Sequence, residues 1–472
     1  MKNSGIHDEC GVFGIVTENA SNIANDIYFG LFALQHRGQE SAGIAVACGK
    51  NKVIHYKNMG LVNDVFNSEE LARFPMSNAG VGHVRYSPSC TNNIANAQPV
   101  VFYGRQGRMA IAQNGSIMNV MQLKSQLIRQ GHIFQSSIDS EVIAALINIY
   151  GAESTLEGVV KTCKKLVGSF GFVLFANRQL FAARDPYGLK PLVIGKRGSS
   201  YIFASESCAL EAVDATFVRD VEPGEIVCIG TDGNLSSIFF SKPKKSPCIF
   251  EYVYIARSDS VIDGVSVYDA RYECGKKLAK LYKIEADIVA GVPDSALVAA
   301  RGYSDASGIL YVDALSKNRY SGRTFIQPNQ AMRENSVKMK LSAIRGNIKG
   351  KRLILIDDSI VRGTTCKKIV NLLRQGGAAE VHVIIASPMV KHACYYGVDM
   401  QTPDQLIANK KSKDEICAEI GADSLNYLPL EKLVNACGGK CGARGCTLCT
   451  GCFSGSYPIA PNKNNFGDFE LE

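Results

Sequence analysis

Apolar and polar residues alternate along this chain in two different rhythms, and the change between them falls at residues 241–250. Before it, short apolar runs follow one another with turn residues between them. They are GVFGIV (11–16), FGFVLFA (170–176), LFAARDPYGLKPLVIG (180–195), YIFASES (201–207) and EIVCIG (225–230). Short strands punctuated by Asp-Pro, Gly and charged turns predict a mostly antiparallel domain of two sheets. After the change, apolar runs ending in turns alternate with helical patterns. ADIVAGVPDS (286–295), LILIDD (353–358) and VHVIIASP (381–388) read as strands, with helices at 268–282 and 364–375. That alternation predicts an α/β domain around a parallel sheet, its strands apolar on both faces.

The basic, proline-containing segment SKPKKSP (241–247) separates the two rhythms, and a cysteine-rich tail closes the chain. The division expected is a polar leader at 1–9, a first domain at 10–240, a linker at 241–250, a second domain at 251–435 and a tail at 436–472. A length of 472 residues suits two cores better than one. Hydrophobic residues make up 46% and charged residues 20%, as in ordinary soluble proteins. No apolar run reaches the roughly eighteen residues of a membrane span, and MKNSGIHDEC has no signal-peptide core. A cytoplasmic protein with no membrane partner is expected. The net charge of +8 is mild for this length and comes without a nucleic-acid-binding signature, so no nucleic-acid partner is expected either. Sixteen cysteines in such a chain should be mostly small buried hydrophobes, with a minority of metal ligands or nucleophiles.

Candidate chemistry is densest at LILIDDSIVRGTT (353–365). A strand buried on both faces ends at Asp357 and Asp358, where ligands of open α/β sheets sit. Ser359, Gly363, Thr364 and Thr365 then supply hydroxyls and backbone N–H groups at a helix start, a geometry that cradles phosphate. An Asp-rich turn is the plain alternative, but a turn needs neither two acids nor the Gly-Thr-Thr. This stretch resembles the ribose-5-phosphate loop of type I phosphoribosyltransferases, whose ligand is phosphoribosylpyrophosphate (PRPP). The resemblance implies that Asp357 and Asp358 hold the ribose hydroxyls and help place Mg²⁺, and that the loop holds the 5-phosphate. GVPDSA (291–296) resembles the pyrophosphate loop of that family, with Ser295 beside the magnesium. Residues 317–345 carry seven basic residues and one acidic one, which by default is a solvated segment. In the family it would be a flap over PRPP, with Lys317, Arg319 and Arg323 as candidate cations.

In the first domain the candidate nucleophile is Cys10, directly behind the polar leader. If Cys10 became the first residue, its α-amine, with an ordinary pKa of about 8, could serve as the base for its own thiol. LQHRGQESAG (34–43), GHVRYS (82–87), QNGSI (113–117) and SIDSE (137–141) resemble, in order, the glutamine amidotransferases of the N-terminal-nucleophile class. The resemblance implies that Cys10 attacks the glutamine side-chain amide and that Asn114 and the N–H of Gly115 form the oxyanion hole. Arg85 and Asp139 would then hold the α-carboxylate and α-amine, a polarity suited to an amino acid. Taken singly, these residues also read as a strand cysteine, a hairpin turn, a surface ion-pair partner and a helix N-cap. Arg37 would close over glutamine or pair with Glu40, and His83 is unneeded as a base. Pro88 and Lys190 depart from the threonine and arginine that are usual in the class.

Cys437, Cys441, Cys446, Cys449 and Cys452 crowd into 16 residues, a spacing open to a ferredoxin-like cluster or a zinc site. Over nearly its whole length the chain resembles the glutamine PRPP amidotransferase family, one branch of which carries a 4Fe–4S cluster. That implies an N-terminal-nucleophile αββα sandwich followed by a type I phosphoribosyltransferase domain, with a cleaved propeptide. The cluster ligands implied are Cys248, Cys394, Cys449 and Cys452, with Cys446 the main rival. The resemblance further implies glutamine and PRPP as substrates, Mg²⁺ as cofactor, purine nucleotides as feedback inhibitors, and a homotetramer or homodimer.

Overall fold

A computed structural model describes residues 10–49, 52–86, 93–105, 107–177, 179–318, 341–400, 402–442 and 445–461. The leader at 1–9, Pro88, Arg319 and Arg323 lie outside the described residues.

The first half is two stacked antiparallel sheets between layers of helix. One sheet runs in the order Thr216–Asp220, Val193–Arg197, Ser200–Ala204, Gly11–Ser21, Ser77–Arg85, Ser41–Cys48, Lys52–Met59. The other runs Leu235–Phe239, Glu225–Gly230, Gln179–Arg184, Gly168–Ala176, Gly107–Ile117, Val100–Gly104. The first strand shows why both faces are apolar. Val12 and Val16 pack between the sheets against Ala110, Ala112 and Val173, while Phe13 and Ile15 pack outward beneath the helix Ile23–Ala33. The helices Asp139–Tyr150 and Thr155–Lys165 cover the second sheet in the same way. Period-two alternation therefore sorts residues between two apolar layers rather than between core and water.

The segment 180–195 is two strands on either side of its Asp-Pro and Gly turn. Gln179–Arg184 belongs to the second sheet and Val193–Arg197 to the first, so the chain crosses the sandwich at residues 185–192. Pro186 and Pro191 lack ladder donors, and Gly188 sits at φ +64°. Arg184, fully buried at this crossing, donates two hydrogen bonds to Asp263 of the second half, at 3.0 and 2.9 Å.

The second half is a five-stranded parallel sheet in the order Leu310–Tyr311, Ile288–Gly291, Arg352–Asp357, Glu380–Ile385, Ser424–Tyr427. Leu353 to Ile356 on the central strand have no exposure at all. The helices Val267–Leu281 and Leu297–Ser307 cross where Gly275 and Gly302 leave room, since a Cβ on Gly275 would lie 1.9 Å from the Ala299 carbonyl oxygen.

The link lies along the first half, with Lys244 N–H bonded to the Pro186 carbonyl and Ser246 N–H to that of Tyr187. The tail returns to the same place. Cys449 N–H bonds the Pro247 carbonyl at 2.9 Å, and Cys248 and Cys449 form a parallel bridge.

Candidate active sites

Strand register brings the first group of residues together. Val12 pairs with His83 and Gly11 with Val84, so Cys10, just before that strand, lies beside the end of Ser77–Arg85. The half-buried Cys10 thiol donates to the Tyr86 carbonyl at 3.6 Å, and Arg85 donates to Glu40 at 2.9 Å. His83 Nε2 meets the Gln113 carbonyl oxygen at 3.0 Å, which draws the second sheet to the same end. Burial pushes the His83 imidazole down to about 3, so it is a neutral brace between sheets and not a base.

Next to Gln113, Asn114 and Gly115 lie inside a strand, paired with Gly171 and Phe170, and not in a hairpin turn. Gly115 sits at φ +128°, and a Cβ there would lie 2.2 Å from the Ser169 carbonyl oxygen. Asn114 is buried, and its Nδ2 has no hydrogen-bond partner among the described residues. An unmet buried donor costs roughly 1–3 kcal/mol, a cost that a ligand oxygen would remove. Asp139 starts its helix, but its carboxylate reaches across to accept the Ile117 N–H at 2.7 Å. Burial raises Asp139 to about 6 against the opposing pull of that N–H and of Lys124. A partly buried acid held out of its ordinary range marks a place where an ammonium would be welcome.

The second group surrounds a cavity of about 510 Å³ off the carboxyl end of the central parallel strand. Asp357 and Asp358 are both buried there; Asp358 accepts from the hydroxyls of Ser295 and Ser359. Burial and their mutual repulsion push Asp357 well up. Burial also raises Asp358, but the two serine hydroxyls and Arg271 oppose the rise. Excess negative potential of this kind suits a divalent cation, and Asp357, Asp358 and Ser295 offer the oxygen donors that Mg²⁺ prefers. Gly363, at φ +76°, caps the helix Thr364–Gln375, and Ser359, Gly363 and Thr365 line the cavity. Thr364 is the first residue of that helix. Lys317 pairs with Asp294 at the same cavity.

The third group is the cysteines. The bridge sets Cys248 against Cys449, and Cys394 with Cys449 packs against Met118, Leu189 and Tyr396. Burial pushes the Cys449 thiol up to about 12 and Cys452 well above the usual thiol range, with Cys394 adding to both. Cys446 is joined to Cys441 in a disulfide, a pairing that the expectation of mostly free thiols did not include. Cys437 lies elsewhere, near Cys274 and Arg271. Among the described residues no set of three or more His, Cys, Asp or Glu side chains is arranged to hold a metal ion.

Two family models match the chain, a glutamine amidotransferase domain over residues 83–212 and a phosphoribosyl transferase domain over residues 270–419. The amidophosphoribosyltransferase of Bacillus subtilis is 47% identical over 456 residues, covering 96% of this chain and 95% of its own. That of Methanocaldococcus jannaschii is also 47% identical, over 96% of this chain and 98% of its own. The chain belongs to the amidophosphoribosyltransferase family. A solved glutamine PRPP amidotransferase from B. subtilis, complexed with ADP and GMP, superposes with a TM-score of 0.89 at 46% identity. It covers 96% of this chain and 98% of that one. A second structure, titled as the allosteric regulatory enzyme of purine biosynthesis, gives a TM-score of 0.91 at 46% identity, over 97% of each chain.

For a member of the amidophosphoribosyltransferase family, some cavity walls come from unexpected places. His36 and Gln39 of the first half line the cavity at Asp357 and Asp358, as do Arg257 and Arg271. Arg271 is buried on Val267–Leu281, donating to the carbonyls of Tyr252 and Ala256 at 2.8 Å. Its sequence signal was available, because it sits on the face that carries Val267, Ala270, Cys274 and Leu278. Arg37 pairs with Glu206 and Glu251, while Glu40 accepts from Arg85.

Asp139 gives a direct test. The folded protein holds its proton up to about pH 6, against an ordinary value of 3.8. Folding therefore takes up a proton between those values, so this contribution favours the fold at low pH and is lost as pH rises through 6. Unfolding midpoints of the chain relative to Asp139→Asn should fall between pH 4.5 and pH 7.5, by an amount equivalent to at most about 3 kcal/mol. A gap that does not change with pH would refute the shift.

Proposed function

We infer that this enzyme, a glutamine-dependent amidophosphoribosyltransferase (EC 2.4.2.14) making 5-phosphoribosylamine for purine synthesis, divides its chemistry between the two groups of residues. The observation that carries the inference is their junction: residues of the glutaminase half, His36 and Gln39, line the cavity that holds the Asp357–Asp358 pair.

In the first half-reaction Cys10 is the nucleophile. Removal of residues 1–9 would leave its α-amine to accept the thiol proton. The thiolate attacks the glutamine amide carbon, and the oxyanion that forms is met by Asn114 Nδ2 and the Gly115 N–H. One such donor is worth about 2.7–4 kcal/mol. Ammonia leaves as the thioester forms, and water hydrolyses the thioester to glutamate and the free thiol. Arg85 and Asp139 hold the glutamine carboxylate and ammonium; the unmet Asn114 donor and the raised Asp139 carboxyl support these roles.

In the second half-reaction the nitrogen lone pair of ammonia attacks C1 of PRPP, and the C1–O bond to pyrophosphate breaks. A proton is lost from nitrogen. Asp357 and Asp358 bind the ribose hydroxyls, and with Ser295 they would hold Mg²⁺, which would supply charge neutralisation at the leaving pyrophosphate. Ser359, Gly363, Thr364 and Thr365 bind the 5-phosphate, and Lys317 offers a cation for the pyrophosphate. Ammonia must travel unprotonated, so the passage between the sites is sheltered from water.

Cys248, Cys394, Cys449 and Cys452 are the ligand set we assign to a 4Fe–4S cluster, a structural or oxygen-responsive group; the Cys248–Cys449 bridge and the nearness of Cys394 to Cys449 and Cys452 support this. We further infer a cytoplasmic homotetramer or homodimer inhibited by purine nucleotides. The ADP and GMP bound to the B. subtilis relative support the inhibitors.

Purified enzyme should have an intact mass lacking the first nine residues. Cys10→Ala should lose at least a thousandfold in glutamine-dependent pyrophosphate release from PRPP, yet keep ammonia-dependent release. Activity with glutamine in an uncleaved chain would exclude the terminal-amine base. For the cluster, anaerobically purified enzyme should be brown and carry about four irons per chain by the chemistry of a 4Fe–4S group. Cys449→Ser should lose iron and colour, whereas a colourless, zinc-loaded protein would contradict the assignment.

A further inference from the structure

Arg271 is a cation only 5% exposed that neither half-reaction uses. Its guanidinium carries five N–H groups. Nε donates to the Tyr252 carbonyl and Nη2 to the Ala256 carbonyl, both at 2.8 Å, and Nη1 donates to the Ser258 hydroxyl at 3.0 Å. All three acceptors are neutral. Two N–H groups remain beyond these bonds, and a desolvated guanidinium is costly unless its charge is answered. Burial pulls Arg271 down from its ordinary range, and of the charges that oppose this Asp358 acts most strongly.

Arg271 and Asp358 both line a small void of about 10 Å³, together with Ser295, Tyr252, Cys274 and Cys437. A buried water needs roughly 10–15 Å³ of such space and two to four polar partners, so this void suits one water and no more. Arg271, Ser295 and Asp358 also line the large cavity, so the two spaces share the wall that carries the acid pair. The separation has a chemical use. An arginine in direct contact would occupy the Asp358 oxygens and compete with a ligand in the cavity. A cation one water away orients the carboxylate and leaves its charge to that ligand.

We propose that Arg271 is a positioning residue for the PRPP half-reaction, acting through one buried water that accepts from an Arg271 N–H and donates to the Asp358 carboxylate. With the hydroxyls of Ser295 and Ser359, this water fixes the plane of the carboxylate, and so the oxygen it presents to ribose or a divalent cation. The proposal rests on the reading of Asp357 and Asp358 as the pair that binds PRPP and Mg²⁺.

The test uses the full enzyme without glutamine or ammonia, so that nothing turns over, and follows PRPP binding by calorimetry as Mg²⁺ is raised. Cys274→Val crowds the void with an extra methyl group and keeps every protein bond of Arg271, whereas Arg271→Lys keeps the charge but loses the fork. The Mg²⁺ concentration for half-maximal binding should rise roughly tenfold in each, as when a group supporting a metal ligand is lost. An arginine that only packed residues 252–258 would show the rise in Arg271→Lys alone. A rise below threefold in either folded variant overturns the proposal. The parent's crystal structure decides even if Cys274→Val fails to fold. One water within hydrogen-bond distance of both Arg271 and Asp358 is expected there, and an empty void overturns the proposal. Asp358→Asn that binds PRPP with the parent's Mg²⁺ dependence would instead overturn the reading of the acid pair, whatever the other variants do.

Discussion

A guanidinium with no exposure to water holds the two halves of this molecule in register. Arg37 comes from the first half, and its partners Glu206 and Glu251 come from opposite sides of the link. Desolvating such an ion costs several kcal/mol unless its partners are placed well, so the pair tolerates few relative positions of the halves. Arg184 with Asp263 repeats the device at the sandwich crossing. Because the halves are fixed in this way, one cavity draws walls from both of them, and the backbone of Cys10 is tied into the joint.

Burial has opposite consequences for different carboxylates here, and the difference separates architecture from chemistry. Glu206 is more deeply buried than Asp139, yet His36 and Arg37 push it down while Asp139 stays raised. Asp357 is also left high, with Asp358 adding to the burial. Glu206, paired on both oxygens, holds parts together, and the neutral His83 braces the two sheets through its Nε2. The raised carboxyls and the unmet Asn114 donor lie in the two groups of candidate residues.

Much of this was legible in the sequence because it is local. The central strand, the acid pair at its end and the helix-starting Gly-Thr-Thr are consecutive, so one apolar run followed by turn chemistry announces them. The short edge strands Leu310–Tyr311 and Ser424–Tyr427 carry too few residues for a period to register. The Asp-Pro and Gly at 185–188 announce a turn, but nothing local says that the strands on either side belong to different sheets. The pairing of His36 with Glu206 was beyond reach, since 170 residues separate them and nothing local in either requires the other. Cys441 with Cys446 escaped for a different reason, in that five cysteines within 16 residues allow many pairings.

If glutamine and PRPP chemistry are joined inside one molecule, nitrogen passes between the sites without meeting the solvent. Glutamine labelled with ¹⁵N at the side-chain amide, turned over with PRPP and Mg²⁺ in a large excess of unlabelled ammonium at neutral pH, tests it most directly. Phosphoribosylamine trapped during turnover should carry the label almost undiluted. Product whose label matches the mixed ammonium pool would contradict it.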